Sequence, residues 1–464
     1  MKKTKILCTI GPASLSREVQ EQMYKAGMNG ARINTAYEEI DVYEKRIKAL
    51  RKVCKIPVLL DIKGPELRLQ ASKSKPVQKG DIINIGAQDR DASFNHDIYD
   101  QLTVGDEIFI DDGSLQAEIT ETDKKSVSVL IRNQGILKDG KGVNIPGKTV
   151  KTPCLTDRDR KIVELAKKNS IEYIALSFTR SKDDVAHLKD LFNGVDIGVI
   201  AKIESAQGLE NFDEILGVSD GIMVARGDLG VEMPPEELPI VQKRIIRECN
   251  QHGKLVITAT EMLESMIMNP RPTRAEISDI ANAILDGSDV VMLSGETAIG
   301  KYPVEAVTMM TRIAEKTEPS VISRVHEEQF QNISRSISRS IWQITKTMPI
   351  DSVVALTRSG YTARMITRFR LEQPIIAVTP SEIAARKLQL LYGVQPIKFD
   401  YMNKKDHIVS TAKMLFSEKY LREEDIVIFS AGFRTYTTHA SNLIEIHKVK
   451  SLLRFEGLKV QDVN

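Results

Sequence analysis

The feature that most constrains this chain is a recurring unit, a short and largely apolar run followed by an amphipathic stretch with helical spacing. The runs are KILCTIG (5–11), GARIN (30–34), VLLDIKG (58–64), IEYIALSF (171–178), IGVIAKIE (197–204), GIMVARGD (221–228), LVITATE (255–261) and VVMLSGE (290–296). Strands this uniformly apolar belong in a parallel sheet covered on both faces. Eight such strands, each followed by a helix, predict an α/β fold built on a closed (β/α)8 TIM barrel; an open doubly wound sheet is the alternative. Ser16 is placed to cap the first helix and Gly27 to stop it. The second helix is expected from Tyr37 to about Cys54.

The repeat breaks once, after the third strand. Residues 69–148 are rich in Gly, Asp and alternating Thr/Val (DIINIGA, EIFIDDGSLQAEIT, SVSVLIRNQG), the pattern of short antiparallel strands joined by tight turns. They read as a small β-barrel domain inserted between the barrel segments 1–68 and 149–330. An insertion at the C-terminal end of a barrel strand is placed to act as a lid, although a passive insertion has the same sequence signature. From 331 to 464 a separate three-layer α/β unit follows, with strands expected at SVVALT (352–357), PIIAVT (374–379), QPIKF, DIVIFSAG and NLIEIHKV.

Active sites of such barrels lie at the C-terminal ends of the strands. Here those ends carry Arg32 and Asn34, Asp61 and Lys63, Ser177, Lys202 and Glu204, Arg226 and Asp228, Thr260 and Glu261, and Ser294 and Glu296. Any one of these polar residues could simply cap its strand where the chain meets water. Charge at so many ends together argues for chemistry. Glu204 and Asp228 are hard oxygen donors suited to Mg²⁺ or Mn²⁺. Arg32, Lys63 and Lys202 are cations suited to a transferring phosphoryl group. Phosphoryl transfer and metal-assisted enolate chemistry both fit. None of Cys8, Cys54, Cys154 and Cys249 lies at the C-terminal end of a strand, and no Ser–His nucleophile arrangement is readable.

The balance of 65 basic and 63 acidic residues gives a net charge of only +2, which draws the chain to neither nucleic acid nor membrane. The cysteines show no paired spacing, so a reducing compartment is expected. MKKTKILCTIGPAS turns at Gly-Pro after a short apolar run, unlike a signal peptide. No apolar run reaches the roughly 18 residues a spanning helix needs. A cytoplasmic location is the expectation.

KTKILCTIGPAS, ARIN, LLDIKGPELR, KGVNIPG, AKIES, GIMVARGDLGVE, TATEMLESM, PRPTRAEISDIANAILDGSDVVMLSGETA and YPVEAV, in this order to about residue 310, resemble the pyruvate kinase family. The resemblance implies transfer of a phosphoryl group from phosphoenolpyruvate to ADP, giving pyruvate and ATP. It implies that Lys202 and the backbone at Gly227 hold the phosphoryl group and enolate, with Arg32 on the phosphate. Glu204 and Asp228 would ligate the divalent metal. Thr260 would sit near the path of the proton that makes pyruvate, with Ser294 and Glu296 as candidate members of that relay. Arg68 and Lys141 would contact nucleotide phosphates, with Lys141 brought in by the lid. A homotetramer is also implied.

Two departures stand out. Where the family usually reads Asn-Phe-Ser-His-Gly, this chain has Asn34, Thr35, Ala36, Tyr37 and Glu38. The family's monovalent-cation ligands fall on Asn34, Asp61, the Ile62 carbonyl and the position now Ala36, which has no side-chain oxygen. Glu66 nonetheless matches K⁺-dependent members, so weakened K⁺ dependence is the expectation. Tyr37 stands for a histidine on the nucleotide side, beside Asn34. Glu261 stands where glutamine is usual, either as a partner for a nearby arginine or as a change in the site's proton affinity.

In the C-terminal unit, TRSGYT joins a strand to a helix, a turn whose exposed N–H groups favour an anion. It could equally be an ordinary connection. A similar segment binds sugar-phosphate effectors in regulated relatives, which makes Thr357, Arg358, Ser359, Gly360 and Thr362 an effector cradle. SAGFRTYTTHASNLIEIH resembles the family's closing segment more loosely, and LLRFEGLKVQDVN extends past the usual end. A non-catalytic effector sensor on the same fold, and a metal-enolate enzyme with another acceptor, are the rival readings.

Overall fold

The structure is a computed structural model that describes residues 2–64, 66–86, 90–111, 113–148, 150–323, 332–402, 406–432 and 441–454. Eight parallel strands close into a barrel, in chain order Lys5–Thr9, Gly30–Asn34, Val58–Ile62, Tyr173–Leu176, Gly198–Ile203, Gly221–Ala225, Leu255–Ala259 and Val290–Leu293. The first pairs with both the second and the eighth, which excludes the open sheet. Most of these strands are buried along their whole length, as expected where helices cover the outside and side chains fill the inside.

Local signals end the helices where the sequence places them. Ser16 Oγ accepts the Val19 N–H, and Gly27 closes the helix at φ 120°, a conformation that suits glycine. The second helix begins at Ile40 rather than Tyr37, because residues 35–39 are held as a loop by side chains from elsewhere.

The insertion forms a seven-stranded sheet in the order Val143–Asn144, Glu107–Ile110, Leu115–Asp123, Ser126–Ile131, Ile82–Gly86, Ala92–Phe94, Leu69–Ala71. A bridge between Arg68 and Gly142 draws its two edges together. Period-two burial builds its core: Leu115, Ala117 and Ile119 face inward, as do Val127, Val129 and Ile131.

The C-terminal unit is a five-stranded sheet ordered Val394–Lys398, Ile375–Thr379, Ser352–Leu356, Ile426–Ala431, Leu443–Lys448, with only the last strand antiparallel. It plugs the N-terminal end of the barrel. Leu7, Leu59, Tyr173, Ile200 and Val290 share one apolar cluster with Val353, Ile366, Leu390 and Val394. Two buried ion pairs cross the same junction. Arg370 meets Asp289 at 3.0 Å, both side chains 2% exposed. Glu172, fully buried, takes Arg51 at 3.2 Å and also pairs with Arg386. The plug sits opposite the charged strand ends, so the chemistry and the C-terminal unit occupy different faces.

Removing one partner of a buried pair strands the other charge, so Arg370→Met is expected to cost about 3–5 kcal/mol, read as a lower urea midpoint. A loss below about 1 kcal/mol would show that the junction does not depend on this pair.

Candidate active site

The strand ends converge on Asp61, whose carboxylate is 3% exposed. Asp61 Oδ2 accepts Arg32 Nε at 2.8 Å, and Oδ1 accepts Ser177 Oγ at 3.2 Å. Lys202 Nζ stands 3.4 Å from Oδ1, donates to Ser177 Oγ at 2.9 Å, and meets Glu204 Oε1 at 2.8 Å. The other Glu204 oxygen accepts the Phe178 N–H at 2.7 Å, at a residue held at φ 51°. Burial opposes ionisation of Asp61, but Lys202 and Arg32 outweigh it and hold the carboxyl below its usual value. Burial likewise opposes the charged Lys202, and Asp61 and Glu204 overcome it and raise its pKa.

The sixth and seventh strands supply a second cluster. The Gly227 N–H donates to Thr260 Oγ1 at 3.0 Å, and that hydroxyl donates to the Ala259 carbonyl at 2.6 Å. Thr260 and Glu261 both have left-handed backbone, φ 67° and 53°, which is costly for a β-branched residue. Arg226 holds this turn: its Nε reaches the Ala259 and Thr260 carbonyls at 3.2 Å, and Nη1 meets Asp279 at 2.5 Å. Arg226 is therefore a clamp on the backbone. Glu296, 2% exposed, uses both oxygens on backbone, accepting Leu263 N–H at 2.9 Å and Ser294 N–H at 2.7 Å. Through these bonds it shapes the loops beside Thr260.

Of the three cations grouped from the sequence, Arg32 and Lys202 meet at Asp61, whereas Lys63 forms no ion pair among the described residues. Burial and the nearby Arg68 depress its pKa, partly offset by Glu66. Between insertion and barrel lies a cleft of about 240 Å³ whose lining includes Glu66, Asn144, Phe178, Asp228 and Glu232. Asn144 Nδ2 donates to Glu232 Oε1 at 2.8 Å across it, and burial raises the Glu232 pKa. Arg68 and Lys141 flank this cleft, paired with Glu66 at 2.6 Å and Asp111 at 2.8 Å. Tyr37 is 77% exposed.

Glu204 and Asp228 offer a divalent cation hard oxygen donors, Glu204 buried just past the fifth strand and Asp228 in the first turn of the helix Arg226–Glu232 that follows the sixth, lining the cleft. Among the described residues no group of three metal-ligating side chains occurs, so substrate and water would complete such a sphere. The donor set for a monovalent cation is thinner. Asn34 Oδ1 accepts the Ala36 N–H at 3.1 Å, both Asp61 oxygens have partners, and Ala36 adds no oxygen.

In the C-terminal turn, Thr357 Oγ1 accepts the Gly360 N–H at 3.0 Å, and Gly360 is left-handed at φ 86°. Thr362 Oγ1 accepts Ser441 Oγ at 2.9 Å. The Arg358 carbonyl accepts Thr379 Oγ1 at 3.2 Å, and the Ser359 carbonyl accepts Arg364 Nη1 at 3.4 Å. Residues 433–440 of the looser closing segment and 455–464 of the extension lie outside the described residues.

Sequence reasoning missed Thr9, whose Oγ1 accepts Arg32 Nη1 at 3.0 Å, and Arg158, which donates from Nε to the Thr35 carbonyl at 2.8 Å. Thr9 ends the first strand and was findable as a strand-end hydroxyl. Arg158 lies in a helix and gives no such signal.

Because the folded pKa of Asp61 is depressed, its stabilising effect is present above its unfolded value near 3.9 and is lost as pH falls through the folded one. Lys202 is raised, so its effect is full below about 10.4 and fades only as pH rises through its folded value. Asp61 and Lys202 should thus stay charged from about pH 5 to 9, and their ¹³C resonances should not titrate there. Glu296→Gln, which keeps one acceptor and loses the other, should cost about 1–3 kcal/mol in stability while leaving the pH profile of turnover unmoved. A shifted profile would restore Glu296 to a proton relay.

Two family models cover most of the chain: "Pyruvate kinase, barrel domain" matches residues 1–307 and "Pyruvate kinase, alpha/beta domain" matches residues 335–447. A pyruvate kinase of Sporosarcina psychrophila is 43% identical, the alignment covering 99% of this chain and 82% of the relative. Those of Geobacillus stearothermophilus and Bacillus licheniformis are 39% and 40% identical, each covering 97% of this chain and 81% of the relative. Barrel, charged strand ends and comparisons agree: the chain belongs to the pyruvate kinase family.

Proposed function

We propose that this chain transfers the phosphoryl group of phosphoenolpyruvate to ADP, and that the cluster around Asp61 does the work of charge neutralisation. The observation that carries the reading is the Lys202 amine, 11% exposed and fixed by Glu204, Asp61 and Ser177 at the barrel mouth. In the reaction the bond from phosphorus to the enol oxygen breaks and a bond to a β-phosphate oxygen of ADP forms. Negative charge on the phosphoryl oxygens and on the departing enolate meets Lys202 and Arg32, already oriented before substrate arrives. The enolate is then protonated on carbon, with Thr260, held beside Gly227, near the path of that proton. No covalent enzyme intermediate is required.

Glu204 and Asp228 would hold Mg²⁺ or Mn²⁺, which supplies further neutralisation of phosphoryl charge when bound. Arg68 and Lys141, with Asn34 and Tyr37 at the strand 2 end, make up the nucleotide side. The insertion, residues 69–148 between barrel segments 1–68 and 149–330, acts as a lid that excludes water. A monovalent cation at Asn34, Asp61 and Ile62 contributes only weakly, given Ala36. The unit 331–464 takes a phosphorylated effector at Thr357, Arg358, Ser359, Gly360 and Thr362. The chain works as a cytoplasmic homotetramer; among its described residues no helix is long and apolar enough to cross a membrane.

The test is pyruvate formation from phosphoenolpyruvate and ADP with Mg²⁺, in K⁺ and in tetramethylammonium. ADP-dependent turnover is expected, falling at least about 10²–10³-fold in Lys202→Met. K⁺ should stimulate the wild type modestly, and identical rates in the two cations would remove the monovalent site. No turnover from folded protein would favour an effector sensor, and turnover without ADP another acceptor.

A further inference from the structure

Arg158 occupies the first turn of the helix Asp157–Lys168, where the helix dipole disfavours a cation. Its guanidinium is spent on one distant segment. Nε donates to the Thr35 carbonyl at 2.8 Å, and Nη2 donates to the Glu38 carbonyl and to the Tyr43 hydroxyl at 3.3 Å. The guanidinium lies 5.9 Å from the centroid of the Tyr43 ring. Tyr43 is fully buried, and its hydroxyl accepts the N–H groups of Tyr37 at 3.2 Å and Glu38 at 2.7 Å. Thr35 passes the constraint on: its N–H and Oγ1 donate to the Asp61 carbonyl at 3.0 and 2.8 Å. Arg46 pairs with Glu38 at 2.5 Å. This is the segment that departs from the family pattern and lacks an oxygen at Ala36.

We propose that Arg158, seated on Tyr43, is a positioning residue that fixes the shape of Asn34–Glu38 against Asp61 in place of a tightly held monovalent cation. The proposal rests on the phosphoryl-transfer reading for its kinetic consequence, but not for its structural one. An arginine that merely capped its own helix would not send every observed bond to residues 35–43. The fork geometry matters: a lysine has a single nitrogen and cannot reach both carbonyls and the phenol at once.

The experiment compares full-length wild type, Arg158→Ala, Arg158→Lys and Tyr43→Phe. Amide hydrogen exchange at Tyr37 and Glu38 should speed up at least about tenfold in Arg158→Ala and Tyr43→Phe, with the barrel helices unchanged. The ratio of pyruvate formation in K⁺ to that in tetramethylammonium should rise at least about fivefold in Arg158→Ala and less in Arg158→Lys, since each lost bond leaves more ordering to the ion. Equal losses in both cations with unaltered exchange would overturn the proposal and leave Arg158 a general structural clamp. If Arg158→Ala does not fold, Arg158→Lys, which keeps the charge and loses the fork, carries both readouts, with Tyr43→Phe marking the exchange rate reached when the two amides lose their acceptor. If the wild type does not turn over, the proposed function fails, and exchange alone decides whether Arg158 holds the segment.

Discussion

The active-site architecture depends on one buried carboxylate. Asp61 lies 3% exposed at the end of the third strand, where an unpaired charge would be strongly unfavourable. It is tolerated because Arg32 approaches from the adjacent second strand and Lys202 from the fifth, one strand further round the barrel, and Asp61 offsets the repulsion between these cations. Glu204 completes the balance on the far side of Lys202. The cluster is thereby oriented before any substrate enters, which is the condition for electrostatic catalysis without reorganisation.

The barrel supplies this by geometry. Parallel strands bring Asn34 and Asp61 into register side by side, and hold Lys202 next to Met223 of the following strand. At the opposite end the C-terminal unit is fused to the barrel through a shared apolar cluster and two buried ion pairs. Left-handed backbone occurs at the mouth at Phe178, Thr260 and Glu261; Phe178 N–H donates to Glu204, and Thr260 Oγ1 accepts the Gly227 N–H.

The barrel strands, the β-rich insertion and the C-terminal strands were legible in the sequence, because period and apolar content report burial directly. Arg32, Asp61, Ser177, Lys202 and Glu204 were legible as strand ends. Which of them touch was not: Lys63 looks equivalent to Lys202 in sequence yet joins no ion pair among the described residues, since Lys202 lies within its strand and Lys63 just past the end of its own. Arg226 and Glu296 read as reactive groups, but their charges are used on backbone carbonyls and amides, a difference set by loops of irregular shape. Arg158 was invisible, because its partners lie more than a hundred positions away and no local pattern marks a long-range hydrogen bond.

The most direct measurement is the steady-state kinetics of Asp61→Asn with phosphoenolpyruvate as the varied substrate. If Asp61 orients both cations, kcat/KM for phosphoenolpyruvate should fall by about 10²-fold or more while the protein stays folded. A change of less than about threefold would mean that Lys202 and Arg32 find their places without it, and the account of a preorganised cluster would be wrong.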